Sequence, residues 1–271
     1  VSAKQHFTSV WARRAARDGA GRTHREQPGL SEAQIVRAAI ELLDAEGLDA
    51  LSMRRLGARL GAGATSLYWY VQTKDELFDL VLDEVFGELR LYGETVSWQN
   101  AATRFAYGLR QLFLRHPWAI RLLGVRPTVG PNALRMSDWT LAVFQDAGFG
   151  DFDAAHAIST LTAYIVGMAA TEVAWHEAVA RSGMSAEEML CETRPLIEAR
   201  LDDLPRMREY FRIHPDLDPK ISLEIRFDYG LKCVLDGLAA RLAQPGPPSG
   251  DAGHGPGQAM YGTGQERIPG S

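Results

Sequence analysis

Cysteine is scarce in this chain: Cys191 and Cys233 are the two in 271 residues. So few thiols exclude a disulfide framework and suit a reducing compartment. Long apolar runs are missing as well. The most apolar stretch, Ala154 to Ala170, carries His156 with several serines and threonines, is shorter than a membrane span and reads as a buried helix. The first thirty residues are polar and basic and lack the apolar centre of a secretory leader, so a cytoplasmic chain without a membrane partner is expected. No nucleophile elbow and no paired-carboxylate pattern stands out, neither cysteine has a histidine near it in sequence, and nothing argues for an enzyme or for a cofactor. A surplus of positive charge is also absent, the net charge being −5.

What is present is helical periodicity with clear punctuation. Ser31-Glu32-Ala33-Gln34 has the form of a capping box, in which a serine oxygen accepts an amide and a glutamine reaches back. Ile35, Ala38, Ala39, Leu42 and Leu43 follow at helical spacing, and Gly47 closes the pattern where a left-handed residue is wanted. A short helix then places Met53, Leu56 and Leu60 on one face. Gly61-Ala62-Gly63 turns the chain, and a second short pattern packs Leu67 and Val71 inward. Between these two lie Thr65, Ser66, Tyr68, Trp69 and Tyr70. Two short helices joined by a glycine turn, the second with hydroxyls and aromatics on its free face, predict a helix-turn-helix that enters the major groove of double-stranded DNA. Thr73-Lys74-Asp75-Glu76 predicts a second capping box and a long helix behind it. The glycines of Gly61-x-Gly63-x-x-Ser66 imitate part of a phosphate loop, but no strand precedes them and the turn accounts for them.

The block from Leu30 to Leu89 resembles the TetR family of transcriptional repressors. Thr65-Ser66-Leu67-Tyr68-Trp69-Tyr70-Val71 with Lys74-Asp75-Glu76-Leu77 is similar to that family's recognition-helix signature. Trp98-Gln99, Gly124-Val125-Arg126-Pro127-Thr128, Tyr164-Ile165-Val166-Gly167 and the helix Phe227 to Leu238 resemble the tetracycline-repressor branch and its relatives in antibiotic-producing bacteria. The resemblance implies an all-α chain with a three-helix DNA-binding domain and a larger helical domain for effector binding and dimerisation. It also implies roles. Arg54 would reach a guanine edge, Thr65 and Tyr68 would face bases, and Ser66, Trp69, Tyr70 and Lys74 would hold phosphates.

The charge count divides the chain. Residues 1–30 hold six Lys or Arg against two Asp or Glu, residues 31–78 five against seven, and the remainder eighteen against twenty-five. The reader itself is therefore slightly acidic, and attraction to phosphate rests on local placement and on the N-terminal arm. That arm carries Lys4, Arg13, Arg14, Arg17, Arg22 and Arg25 among glycines. Two readings stand: a solvated tail, or an arm whose arginines enter the narrow minor groove beside the reader. The expected organisation is a flexible arm over 1–30, the reader over 31–78, the effector and dimerisation domain over 79–243, and a Gly- and Pro-rich tail over 244–271.

The middle region reads almost wholly as helix: Trp98 to Arg115, a break at His116-Pro117, Ala133 to Ala147, Asp153 to about Ala180, and a last helix from Asp218-Pro219. The long helix and the last one are apolar on most faces and need partners on most faces. They predict a homodimer, against the alternative of burial within one chain. Phe105, Trp118, Trp139, Tyr164, Met168 and Trp175 are candidates to line a cavity for a small apolar or aromatic effector, against ordinary core packing. Tetracycline-binding relatives hold a drug-bound magnesium through a histidine where Leu122 stands here, and Val125 replaces a threonine, so a metal chelate is not the expected ligand. Glu172 and His176 share a helix face, but no third metal ligand can be named. The function expected is an operator-binding repressor released by a small molecule. The alternative is a ligand-independent activator or architectural DNA-binder.

Overall fold

The computed structural model describes residues 30–91, 97–213 and 219–244, together with Val10, Trp11, Arg13 and Arg14. Every regular element among the described residues is helical. α1 (Glu32–Glu46), α2 (Met53–Arg59) and α3 (Ala64–Leu67) form the small N-terminal unit, and α4 (Lys74–Phe86) leads away from it. The larger unit contains α5 (Trp98–Arg115), α6 (Pro117–Leu123), α7 (Pro131–Asp146), α8 (Asp151–Ser182), α9 (Ala186–Glu198), α10 (Pro205–Ile213) and α11 (Pro219–Leu242).

The caps follow from the residues that make them. Ser31 Oγ accepts the Gln34 amide at 3.2 Å while Gln34 Oε1 accepts the Ser31 amide at 2.8 Å, so the box at α1 is complete. At α4 only half of the expected box forms. Thr73 accepts the Glu76 amide at 3.1 Å, but the Glu76 carboxylate takes the Gln72 amide, at 2.8 Å, instead of that of Thr73. The tight turn between α2 and α3 depends on Gly57, because a Cβ there would stand 2.7 Å from the carbonyl oxygen of Ala62. Pro117 and Pro131 begin α6 and α7, where a missing amide costs nothing.

One continuous core runs through both units. Ile35, Ala39, Leu56, Leu67 and Val71 are fully shielded in the reader, and Leu77, Val81 and Val85 of α4 carry that core toward Leu109, Phe113 and Ala119. α8 packs against α5, α7 and α11 and is the axis of the larger unit. It is long and apolar enough to cross a membrane by length and composition. Its buried face, however, is Leu161, Ile165 and Ala169 ending at Glu172, which is ion-paired inside the protein.

The flexible arm expected over residues 1–30 is corrected at its apolar pair. Val10 is 1% exposed and belongs to the main core, with Trp11 packed against it. Two adjacent bulky apolar residues give that segment something to bury, which its glycines and arginines obscure in the sequence. α9 and α10 were not anticipated as separate helices, although Ser185-x-x-Glu188 is a legible start and forms a full capping box. Residues 245–271 lie outside the described residues, as does most of the arm.

Candidate nucleic-acid interface and effector cavity

In the reader, burial of Met53, Leu56, Leu67 and Val71 fixes which side chains point outward. Thr65 is exposed and Ser66 half-buried. Tyr68 is 46% and Trp69 69% exposed, unusual for large aromatics on so small a unit. Arg54 is exposed on α2 and makes no ion pair among the described residues. Its neighbours differ. Arg55 pairs with Glu46 at 2.5 Å and Arg59 with Glu41 at 3.0 Å, so two of three α2 guanidinium groups are held along the protein surface. Lys74 lies over the Phe78 ring at 5.2 Å, half-buried.

Tyr70 requires a correction. It is 5% exposed, and its hydroxyl donates to the carbonyl oxygen of Leu30 at 2.8 Å. A side chain so enclosed ties the turn after α3 to the residue that leads into α1 and is not available to a phosphate. Arg13 and Arg14 also differ from expectation, since Arg13 pairs with Glu76 and Arg14 with Glu32. Arg17 and Arg22 lie outside the described residues.

The acidic face of α4 connects the two units. Glu76, Asp79 and Asp83 are each about as buried as a core residue, and each is taken up by a different element. Glu76 receives Arg13, Asp79 receives Arg126, and Asp83 accepts the backbone amides of Asn132 at 3.1 Å and Ala133 at 2.9 Å. Asp83 thereby caps the positive end of the α7 dipole. Asp79 Oδ2 is buried with no hydrogen-bond partner among the described residues. The Arg126 guanidinium is held above its usual pKa chiefly by the Asp79 hydrogen bond, against the opposing effect of burial. A second connection passes through His116, which is 3% exposed. Its Nδ1 lies 2.7 Å from Asp44 of α1, and Trp118 Nε1 donates to the same carboxylate at 2.7 Å.

Beside the end of α4 lies a cavity of about 400 Å³, walled by Leu89, Leu91, Phe105, Tyr107, Leu112 and Trp139. Arg104, Gln111 and Arg115 are also in its wall. The Phe105 and Trp139 rings are 6.1 Å apart. These two are the sequence candidates that the fold brings together. Trp118, Tyr164, Met168 and Trp175 do not line this cavity: Trp118 is committed to Asp44, and Tyr164 donates to the carbonyl oxygen of Phe227 at 2.7 Å. Sequence reasoning counted Tyr107 among the aromatics of this region without choosing it for the cavity, and passed over Gln111 and the arginines, because their line along the outer face of α5 is visible only once α4 is placed beside it. Tyr107 donates to Asp228 of α11, and that bond, followed by burial, pushes its phenol up to about 12. Deeper inside, Arg110 holds Glu172 through two bonds of 2.8 and 2.9 Å and stacks over Phe227 at 4.6 Å. Glu172 is therefore an ion-pair partner. Leu122 is buried at 4% in apolar surroundings.

Residues 35–81 match the family described as bacterial regulatory proteins, tetR family, and residues 93–242 match the tetracyclin repressor-like C-terminal domain. The chain belongs to the TetR family. The TetR-family reader and C-terminal domain thus account for most of the described residues. An HTH-type transcriptional regulator of Saccharopolyspora erythraea is 39% identical over 220 residues, covering 80% of this chain and 87% of that protein. The HTH-type transcriptional repressor DrrR1 of Streptomyces coeruleorubidus is 34% identical, with 80% of each chain covered. Among solved structures, ActR of Streptomyces coelicolor in complex with actinorhodin superposes with a TM-score of 0.66 at 30% identity, covering 79% of this chain and 99% of that one. The exposed aromatics that follow α3 thus belong to a transcriptional regulator.

Proposed function

We propose that this chain is a homodimeric repressor that binds a palindromic operator and leaves it when a flat aromatic effector enters the cavity beside α4. The observation carrying this reading is the pairing of an exposed Thr65-Tyr68-Trp69 face and an exposed Arg54, without an ion pair among the described residues, with an aromatic cavity at the far end of the helix that leads from that face. The effector must bind the released arrangement more tightly than the operator-bound one, since only that difference shifts the population. Phe105 and Trp139 supply ring faces, and Arg104, Gln111 and Arg115 supply donors suited to phenolate or carboxylate oxygen. The actinorhodin bound by ActR is a ligand of that protein and gives the first probe to try here.

The dimer rests on α8 and α11. α8 leaves Ala155, Ser159, Ala163 and Gly167 exposed in one row, and α11 leaves Ile225 and Tyr229 uncovered at 53% and 73%. Small residues let two helices approach closely, and a two-fold axis there would set two readers roughly 34–36 Å apart. As a DNA-bound regulator the protein acts in the cytoplasm. The experiment selects duplexes from a random pool, then measures release of the selected duplex by actinorhodin and other aromatic acids. Selective binding with release supports the reading. Selective binding with no release by any compound that binds the protein favours a ligand-independent regulator, and absence of selective binding overturns it.

A further inference from the structure

We propose that Val10, Trp11, Arg13 and Arg14 act as a strap that closes the seam between the reader and the effector domain. The four residues reach both sides of that seam. Arg14 pairs with Glu32 in the first turn of α1, and Arg13 pairs with Glu76 in the first turn of α4. Trp11 lies against Gly130, the residue before α7: any side chain at 130 would strike Asp83 and stand 2.7 Å from the Trp11 ring. The strap is built as a docked element. Val10 is enclosed at 1%, Trp11 packs on the core, and Arg14 lies over the Trp11 ring at 4.9 Å, shielding it.

The acceptor side has its own need for the strap. The Glu76 side chain is 6% exposed, and Arg13 is its cationic partner. A carboxylate buried to that degree requires a charge partner, and removal of that partner is far costlier than exposure of the arginine. Glu76, Asp79 and Asp83 lie on one face of α4, three and four residues apart, so the strap, the segment carrying Arg126 and the start of α7 dock side by side on one helix. Movement of α4 relative to α7 must therefore dislodge Trp11 from Gly130 or Arg13 from Glu76. The strap sets a threshold for that movement. In this arrangement Arg13 and Arg14 work within the chain.

Point variants of the full chain test this, first by melting and hydrogen exchange in the absence of operator and effector. Arg13→Ala should lower the melting temperature by about 5 °C or more, and adding Glu76→Gln should restore at least half of the loss, because the amide needs no cation. Trp11→Ala should speed hydrogen exchange by about tenfold at the Gln72 amide and also at the Asn132 and Ala133 amides, with Trp11→Phe restoring most of the protection. Unchanged melting in both alanine variants overturns the strap. Faster exchange confined to the reader overturns its reach across the seam. On a selected duplex, Arg13→Ala should leave the salt dependence of binding unchanged, and a slope shallower by about 0.9 would put Arg13 on a phosphate and overturn its assignment to Glu76.

Discussion

Tyr68 and Tyr70 are two residues apart and are given opposite tasks by a single turn of chain. Tyr68 is 46% exposed beside Thr65, whereas Tyr70 is buried and its hydroxyl is used by Leu30. Tyr70→Phe should therefore cost about 0.5–1.5 kcal/mol of stability in denaturant melts, the worth of one internal hydrogen bond, and leave duplex affinity nearly unchanged. Arg54→Ala should cost about 1–3 kcal/mol on the selected duplex and relax preference at one base pair, as measured by binding to single-substituted duplexes. Equal weakening on every sequence would make Arg54 a phosphate contact. Tyr107 offers a pH test. Its folded-state pKa is raised from 10.0 to about 12, so the contact with Asp228 is fully present below pH 10 and is lost as pH rises through about 12. Burial also raises the Tyr164 phenol, so ultraviolet titration in a Tyr164→Phe background should show a late-ionising tyrosine near pH 12 that disappears on adding Tyr107→Phe, and its persistence would sink the assignment. The residue types of the reader were legible in sequence, because spacing separates Leu67 and Val71 from the side chains between them. Which of those pointed outward was not fully legible, since α3 is a single helical turn and the register of Tyr68, Trp69 and Tyr70 depends on the turns that follow it.

Among the elements, α4 and α8 carry the connections that define the molecule. Both look amphipathic or apolar in sequence, and both conceal charges that only packing pairs. Glu172 on α8 is held by Arg110 of α5, with side-chain exposures of 10% and 5%. Glu172→Ala should destabilise the fold by about 3–5 kcal/mol, seen as a lower denaturation midpoint, because it strands a buried guanidinium. The paired replacement Arg110→Met with Glu172→Leu should recover most of that loss. A small effect of Glu172→Ala would mean that water reaches Arg110. The helix boundaries from Trp98 to Arg115 and at His116-Pro117 were readable from periodicity and proline, but the partner of each carboxylate was not. Glu172 lies sixty-two positions from Arg110, and no local pattern links them.

For the molecule as a whole, the row of small residues left exposed on α8 is where the proposed dimer closes. Ala163→Arg should convert the dimer to a monomer in sedimentation experiments and weaken duplex binding severely, because two half-sites are then bound independently. A dimer that survives this substitution would place the interface elsewhere. The overall charge of −5 also gains meaning at this scale. Two of the three α2 arginines and two of the arm's arginines are paired with carboxylates of the same chain. Among the described residues of the reader few cations are left for phosphate, so the affinity it contributes should rest more on the exposed aromatics and Arg54 than on counterion release.

From the sequence alone came the helix-turn-helix, its caps, the order of the long helices and the family, because these depend on residues near one another in the chain. Apolar spacing and capping residues are local signals, and local signals survive in one dimension. Tertiary structure decided the rest. It paired Arg13 with Glu76 across sixty-three positions, turned Tyr70 inward, and placed Trp139 of α7 beside Phe105 of α5 to wall a cavity. Each of these depends on which faces of distant helices meet, and that is set by packing of the whole core and by the need of buried charges for partners.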